Sequence, residues 1–226
     1  MRKVTAVILL GLVGYYLFSY FIQIPFGEDR NTVGDYYLNN TVEQTGSVNT
    51  VTSIIVSYRG FDTLGEVTVL FLAATGLGAI LFDKRGKKRR RQNASLIVRV
   101  SAQLIYPFII LLGAYVFIHG HLTPGGGFQG GAIIATGVLL MFMSYRSFDV
   151  NHKALTYMES LAGITFVVIG LAGLVWGASF LENFLPLGVP NELFSAGVIP
   201  IIYIAVGIKV GAELTGLLDN LLKTIK

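Results

Sequence analysis

The chain has 226 residues, of which 53% are hydrophobic and only 13% charged, and it contains no cysteine. A soluble domain carries about 25% charged residues, so this composition excludes a soluble globular enzyme, a disordered tail and a nucleic-acid module. The absence of cysteine excludes disulfides, thiolate metal sites and iron–sulfur ligation within this chain.

The net charge of +4 comes from 17 basic and 13 acidic residues, and seven of the basic ones lie in residues 84–91, KRGKKRRR. That run lacks interleaved aromatics and a surrounding polar domain, which argues against nucleic-acid binding. Its flanks are apolar, so it reads as a cytoplasmic loop that holds topology and attracts anionic lipid.

In chain order, residues 4–24 form a 21-residue uncharged stretch behind Arg2 and Lys3. About 20 such residues cross a hydrocarbon core of roughly 30 Å. The stretch is too long for a signal-peptide core and lacks an A-x-A-like cleavage site, so it reads as a retained first helix. Residues 25–46 are polar and are assigned to an outer loop, with Glu28, Asp29, Asp35 and Glu43 against Arg30. Residues 48–58 are apolar and rich in Ser and Thr, which predicts a short helix or re-entrant piece. Spans follow at 64–82, 96–118, 128–143, 161–180 and 196–217. The fold class is therefore an all-α integral membrane protein with about six transmembrane helices and a short membrane-associated helix near 48–58. Arg2, Lys3, the 84–91 run, Arg146, Lys153, Lys223 and Lys226 fall on one side, and Arg30 and Arg59 on the other. This asymmetry predicts both termini in the cytoplasm of a multi-pass plasma-membrane protein. The linker at 84–93 divides a two-span unit, 1–83, from a four-span unit, 94–226. No internal repeat relates the two, so an inverted-repeat carrier is not supported.

Three places carry chemistry. In Arg59-Gly60-Phe61-Asp62-Thr63-Leu64-Gly65-Glu66, Asp62 and Glu66 are four apart and share one helix face. Glu66 then sits about a turn inside an apolar span, where a carboxylate costs roughly 2.5–3.5 kcal/mol and is rarely left without a partner. It reads either as an interfacial group bonded to nearby backbone or as part of a proton or cation path.

The second is His119-Gly120-His121-Leu122-Thr123-Pro124-Gly125-Gly126-Gly127-Phe128-Gln129-Gly130-Gly131. A metal site lacks a nearby third ligand or Glu base, and a phosphate cradle lacks the Lys-Ser/Thr ending. A tight bend at Thr-Pro-Gly-Gly-Gly is simpler. Gly126 with Gly130, and Gly127 with Gly131, place small residues four apart where helices approach closely in lipid. A proton-relay role for His119 and His121 stays open, since imidazole titrates near pH 6.5.

The third is Lys209 with Glu213 in the last span, an i, i+4 pair beside Gly207 and Gly211. It reads either as a self-neutralising structural pair or as an ion-path element. Arg99 and Glu159 are assigned to the interface, and Trp176 to packing or an aromatic belt.

HGHLTPGGGFQGG, at 119–131, closely resembles the signature of the B subunit of Mrp-type multisubunit Na+/H+ antiporters. The resemblance continues through Leu185-Pro186-Leu187-Gly188 and Leu193-Phe194-Ser195-Ala196-Gly197 to Gly207 and Gly211, covering most of 94–226. Residues 1–83, chiefly 50–82 with the Asp62–Glu66 motif, resemble the C-terminal part of the large A-type component of the same antiporters. In membrane-bound hydrogenase and sulfane-reductase complexes that part is a separate small subunit. The resemblance implies a subunit of a membrane module that exchanges sodium for protons, with the Asp62 and Glu66 region and the glycine motif near the cation route. Lys209 and Glu213 are placed there by burial alone.

The resemblance also implies other antiporter-type membrane subunits as partners, with a hydrogenase-like redox module as a further one, and no cofactor or catalytic site of its own. The large proton-pumping helix bundle is absent from this chain, so it is not a complete antiporter. A pure scaffold between antiporter and redox modules is the rival expectation, and a metalloenzyme built on His119 and His121 is a third.

Overall fold

A computed structural model describes residues 2–24, 32–82 and 94–224. The sequence assignments at 25–31, the basic run at 84–91 and Lys226 lie outside the described residues. The chain divides into two compact units, Met1–Tyr36 and Tyr37–Lys226. The first holds α1 (Arg2–Gln23) and the start of α2 (Thr32–Thr45).

The second unit continues from α2 into α3 (Thr50–Ser53), a π-helical turn (Ile54–Tyr58) and α4 (Gly60–Phe82), followed by α5 (Leu96–Ile118), α6 (Gly127–Ser144), α7 (His152–Trp176) and α8 (Ile199–Thr224). Six of these helices are long and apolar enough to cross a membrane: α1, α4, α5, α6, α7 and α8. No strand occurs among the described residues. The chain is an all-α, multi-pass membrane protein.

Several boundaries moved from their expected places. Residues 32–45, expected as polar loop, form α2. Its buried positions are Thr41 and Thr45, whose hydroxyls donate to the carbonyls of Tyr37 and Thr41. A helix that buries threonines carries no apolar stripe, so hydropathy is silent about it. The short helix expected near 48–58 is present as α3 running directly into the π-helical turn. At nine residues and about 1.5 Å of rise each, it is too short to span the bilayer. It runs into α4, which starts at Gly60 rather than Leu64. Finally, α7 and α8 extend past the expected spans at the end they share, to His152 and Thr224. Those extra turns bear Lys153, Asp219 and Lys223, which the hydropathy signal does not count as membrane.

α8 is the hub of the second unit: α4, α5, α6 and α7 all pack on it. Ile199, Ile202, Tyr203, Val206 and Val210 of α8 meet Val56, Val67 and Phe166 in the core. Lipid is as apolar as leucine, so close backbone approach rather than hydrophobic burial joins such helices. At Gly131 of α6, an added Cβ would lie 2.7 Å from the Gly207 carbonyl oxygen and 2.9 Å from the Gly211 amide of α8. On the other side of α6, a Cβ at Gly130 would lie 2.6 Å from the carbonyl oxygen of Gly113 in α5. The helix is therefore clamped by backbone on two faces. The outward faces of α5 and α7 expose Leu104, Phe108, Leu111, Leu161, Val168 and Val175, a surface suited to hydrocarbon or to neighbouring helices.

Candidate functional site

The glycine-rich turn is built first. His119 caps α5 and stacks on Tyr115, with ring centroids 4.3 Å apart. His121 is fully buried. Burial pushes its imidazole below the ordinary 6.5, against the opposing pull of backbone groups at Glu192 and Leu193. The two imidazoles thus occupy different surroundings.

The turn is latched by residues that hydropathy could not single out. Asn49 caps α3 through Oδ1, while its Nδ2 donates to the carbonyls of Gly120 (2.8 Å) and Thr123 (2.9 Å). Ser47 Oγ donates to the His121 carbonyl at 2.9 Å, and Thr52 Oγ1 to that of Gly120 at 2.6 Å. Tyr203 of α8 reaches Thr52 with its hydroxyl at 3.1 Å. Pro124 is exposed, Gly125 half-buried, and Gly126 and Gly127 buried as α6 begins. An N-cap type residue at Asn49 amid the Ser and Thr of 47–53 is the sequence signal for this latch.

Downstream of the π-helical turn, Thr63 Oγ1 donates to the Ile55 carbonyl at 2.8 Å, satisfying backbone that the irregular helix leaves open. Arg59 Nε donates to Asp62 Oδ2 at 2.6 Å, and both side chains are more than half exposed. Asp62 is therefore held by Arg59. Glu66 is exposed on α4 and is not among the residues of the groove between α4 and α7.

A buried electrostatic arrangement lies between α7 and α8. Lys209 Nζ is 3.6 Å from Glu213 Oε2 in its own helix and 3.5 Å from Glu159 Oε1 on α7. Lys209 also sits over the Phe71 ring of α4, 5.0 Å from its centroid. The Glu213 side chain is 2% exposed and the Lys209 side chain 11%. Neither Glu213 oxygen takes a hydrogen bond among the described residues. Glu159, assigned to the interface from sequence, is thus a member of this triad.

At the shared end of α7 and α8, Asp149, His152 and Asp219 each bring a ligand-type atom within 4.8 Å of the others. The ammonium of Lys223 takes the position a cation would, 2.6 Å from Asp219, 3.1 Å from His152 Nε2 and 3.3 Å from Asp149. Its hydrogen bond holds the Asp149 carboxyl below the ordinary 3.8.

Similarity to known proteins bears on this architecture. Residues 97–216, which contain the turn, α6, α7 and most of α8, match a family described as a domain related to the MnhB subunit of Na+/H+ antiporter. The chain belongs to this MnhB-related family. Residues 1–98 match a second family, MbhE, named for a subunit of MBH.

The MnhB-related chain is 34% identical over 194 residues to an uncharacterized protein of Methanocaldococcus jannaschii, covering 74% of each. It is 31% identical over 138 residues to a probable A/B-type subunit of a K(+)/H(+) antiporter of Rhizobium meliloti, spanning 50% of this chain but only 14% of that protein. Among solved structures it resembles a chain of the membrane-bound sulfane sulfur reductase, an archaeal respiratory membrane complex, with 45% identity, a TM-score of 0.81 and 98% of both chains covered. It also resembles a chain of the Mrp complex from Dietzia sp. DQ12-45-1b, with 28% identity and a TM-score of 0.78 over 97% of this chain and 26% of that one.

Proposed function

We propose that this MnhB-related chain is a non-catalytic membrane subunit of a multisubunit Na+/H+ antiporter or of an antiporter-containing respiratory complex, and that it contributes part of the ion path. Its partners are the other antiporter-type membrane subunits, with a redox module beside them in the respiratory case. The similarity to a chain of the sulfane sulfur reductase complex supports the respiratory setting.

One observation carries the ion-path role: Lys209, inside a membrane span, lies between Glu159 and Glu213. Charged groups within spans are expensive and tend to mark ion and proton routes. With Glu213 ionised the triad has a net charge of −1, and with Glu213 protonated it is neutral. A proton or cation arriving at Glu213 therefore releases Lys209 toward Glu159, and its departure draws Lys209 back. Glu66 and Asp62, exposed on α4, are assigned to the part of the ion path that passes to a neighbouring subunit. His119, His121 and the Pro124–Gly131 segment belong to the turn that fixes α6. The basic residues at the α7/α8 end favour a cytoplasmic position for that end and for both termini.

The test is sodium-dependent transport by the assembled complex in vesicles. Glu213→Gln and Glu66→Gln are each expected to cut transport at normal assembly. Normal transport in both assembled variants would sink the ion-path role. That result favours a second reading, a scaffold role, which the two-sided clamp on α6 supports. Bulky residues at Gly130 or Gly131 then abolish assembly while the carboxylates stay silent.

A further inference from the structure

A cavity of about 240 Å³ lies among α4, α7 and α8. Its lining includes His152, Thr156 and Glu159 of α7, Glu213 and Asn220 of α8, and Thr75 of α4. From His152 to Glu159, and from Asn220 to Glu213, is seven residues on each helix, about 10 Å of rise. The space is polar at both ends and has room for several waters, each of which takes about 30 Å³ in the liquid.

We propose that this cavity is a water-filled proton route that opens beside His152 and Asn220 at the shared end of α7 and α8 and ends on the buried carboxylate of Glu213. The proposal deepens the ion-path reading and rests on it for the fate of the proton at Glu213.

The mouth is built for proton exchange. His152 is half exposed, while Asp219 is 3% exposed. His152 Nε2 lies 2.7 Å from Asp219 Oδ2 and 3.1 Å from Lys223 Nζ. A protonated Nε2 donates to Asp219, and an unprotonated one accepts from Lys223. Nε2 thus has an acceptor in Asp219 and a donor in Lys223 within hydrogen-bond reach. Lys223, filling the space among Asp149, His152 and Asp219, works against an alkali cation resting at the mouth. At the inner end, Glu213 is nine-tenths or more buried and its two oxygens take no hydrogen bond among the described residues. Of the charged or titratable groups, His152, Glu159 and Glu213 line the cavity; Lys209 lies against Glu159 and Glu213, and Asp149, Asp219 and Lys223 gather around His152 behind the lining. The α4 residues that line it, Phe71, Ala74, Thr75 and Gly78, bring no titratable group.

The chain has no cysteine, which makes the test direct. Single Thr156→Cys and Gly216→Cys changes are placed in the assembled complex in membrane vesicles, with Leu161→Cys as the control on the outward face of α7. Gly216 lines the cavity and has nothing within 4 Å of an added Cβ. A charged, membrane-impermeant methanethiosulfonate is applied from each side in turn. A thiol reacts as thiolate, and an apolar setting suppresses ionisation, so the two cavity positions are expected to label about tenfold faster than the control. That labelling should come only from the side bearing the α7/α8 end. His152→Gln is then expected to slow sodium-driven proton flux severalfold and to alter its pH profile.

Cavity positions labelling no faster than Leu161→Cys would overturn the route. So would unchanged flux and pH profile in the assembled His152→Gln complex, or labelling from the opposite side. Failure of the underlying reading looks different, because normal transport by Glu213→Gln removes the ion from Glu213 whatever the labelling shows.

Discussion

The Lys209 ammonium lies 3.5 Å from the carboxylate of Glu159 on the neighbouring helix, as close as it lies to Glu213 in its own helix at 3.6 Å. One buried cation is shared by two acids, and its removal leaves both acids uncompensated. Lys209→Met is therefore expected to destabilise the chain by about 3 kcal/mol, the lower end of the cost of breaking a buried ion pair. Adding Glu213→Gln to Lys209→Met should recover a large part of that loss. Thermal unfolding of the purified complex, set against the two single variants in a double-mutant cycle, measures the coupling. A simple sum of the two single effects would show that the groups do not interact.

Gly131 gives the second prediction. A side chain there meets backbone of α8 rather than a movable side-chain end, at 2.7 and 2.9 Å. Gly131→Val should abolish incorporation into the complex or cost several kcal/mol, as overpacking without room to relax does. Gly76→Ala on α4 is the matched control, since nothing lies within 4 Å of its added Cβ. It should be neutral or stabilising by up to about 1 kcal/mol. Yield of assembled complex after detergent extraction separates the two.

Acid should loosen the turn through His121. Burial holds the folded imidazole below the ordinary 6.5, so below that pH the unfolded chain binds a proton that the folded chain refuses. The stability of the neutral buried ring is present in full above 6.5 and is lost as pH falls toward the folded value. The melting temperature of the complex should therefore drop as pH is lowered through and below about 6.5. His121→Asn should lower the melting temperature at neutral pH but flatten that slope.

Asn49 carries the latch. Asn49→Ala removes two hydrogen bonds to the turn and the cap of α3 together. At about 1 kcal/mol for each bond and each cap, the expected loss is on the order of 2–3 kcal/mol. Tyr203→Phe removes one bond and should cost about 1 kcal/mol. By contrast, Asp62→Asn breaks an exposed pair with Arg59 and should shift stability by less than about 1 kcal/mol. Hydrogen exchange at residues 119–126 distinguishes local loosening of the latch from a global effect.

Local stretches of the chain were enough to establish a six-span, all-α membrane protein of an antiporter-subunit family. The bilayer acts on one helix at a time, and a 13-residue motif is contiguous. The same locality let Lys209 and Glu213 be paired, because four residues is about one helical turn. What local reading missed lay across the chain. Glu159 looked interfacial because its partner Lys209 is 50 positions away, and only the packing of α7 on α8 brings them together. Asn49 reads only as part of the short piece at 48–58, because its acceptors are carbonyls 71 and 74 positions downstream. The glycine pairs were legible as small-residue spacing, yet only the folded bundle sends Gly131 to α8 and Gly130 to α5. Hydropathy reports the solvent each residue prefers, and it carries no term for which polar group another will meet; that was left to the tertiary packing.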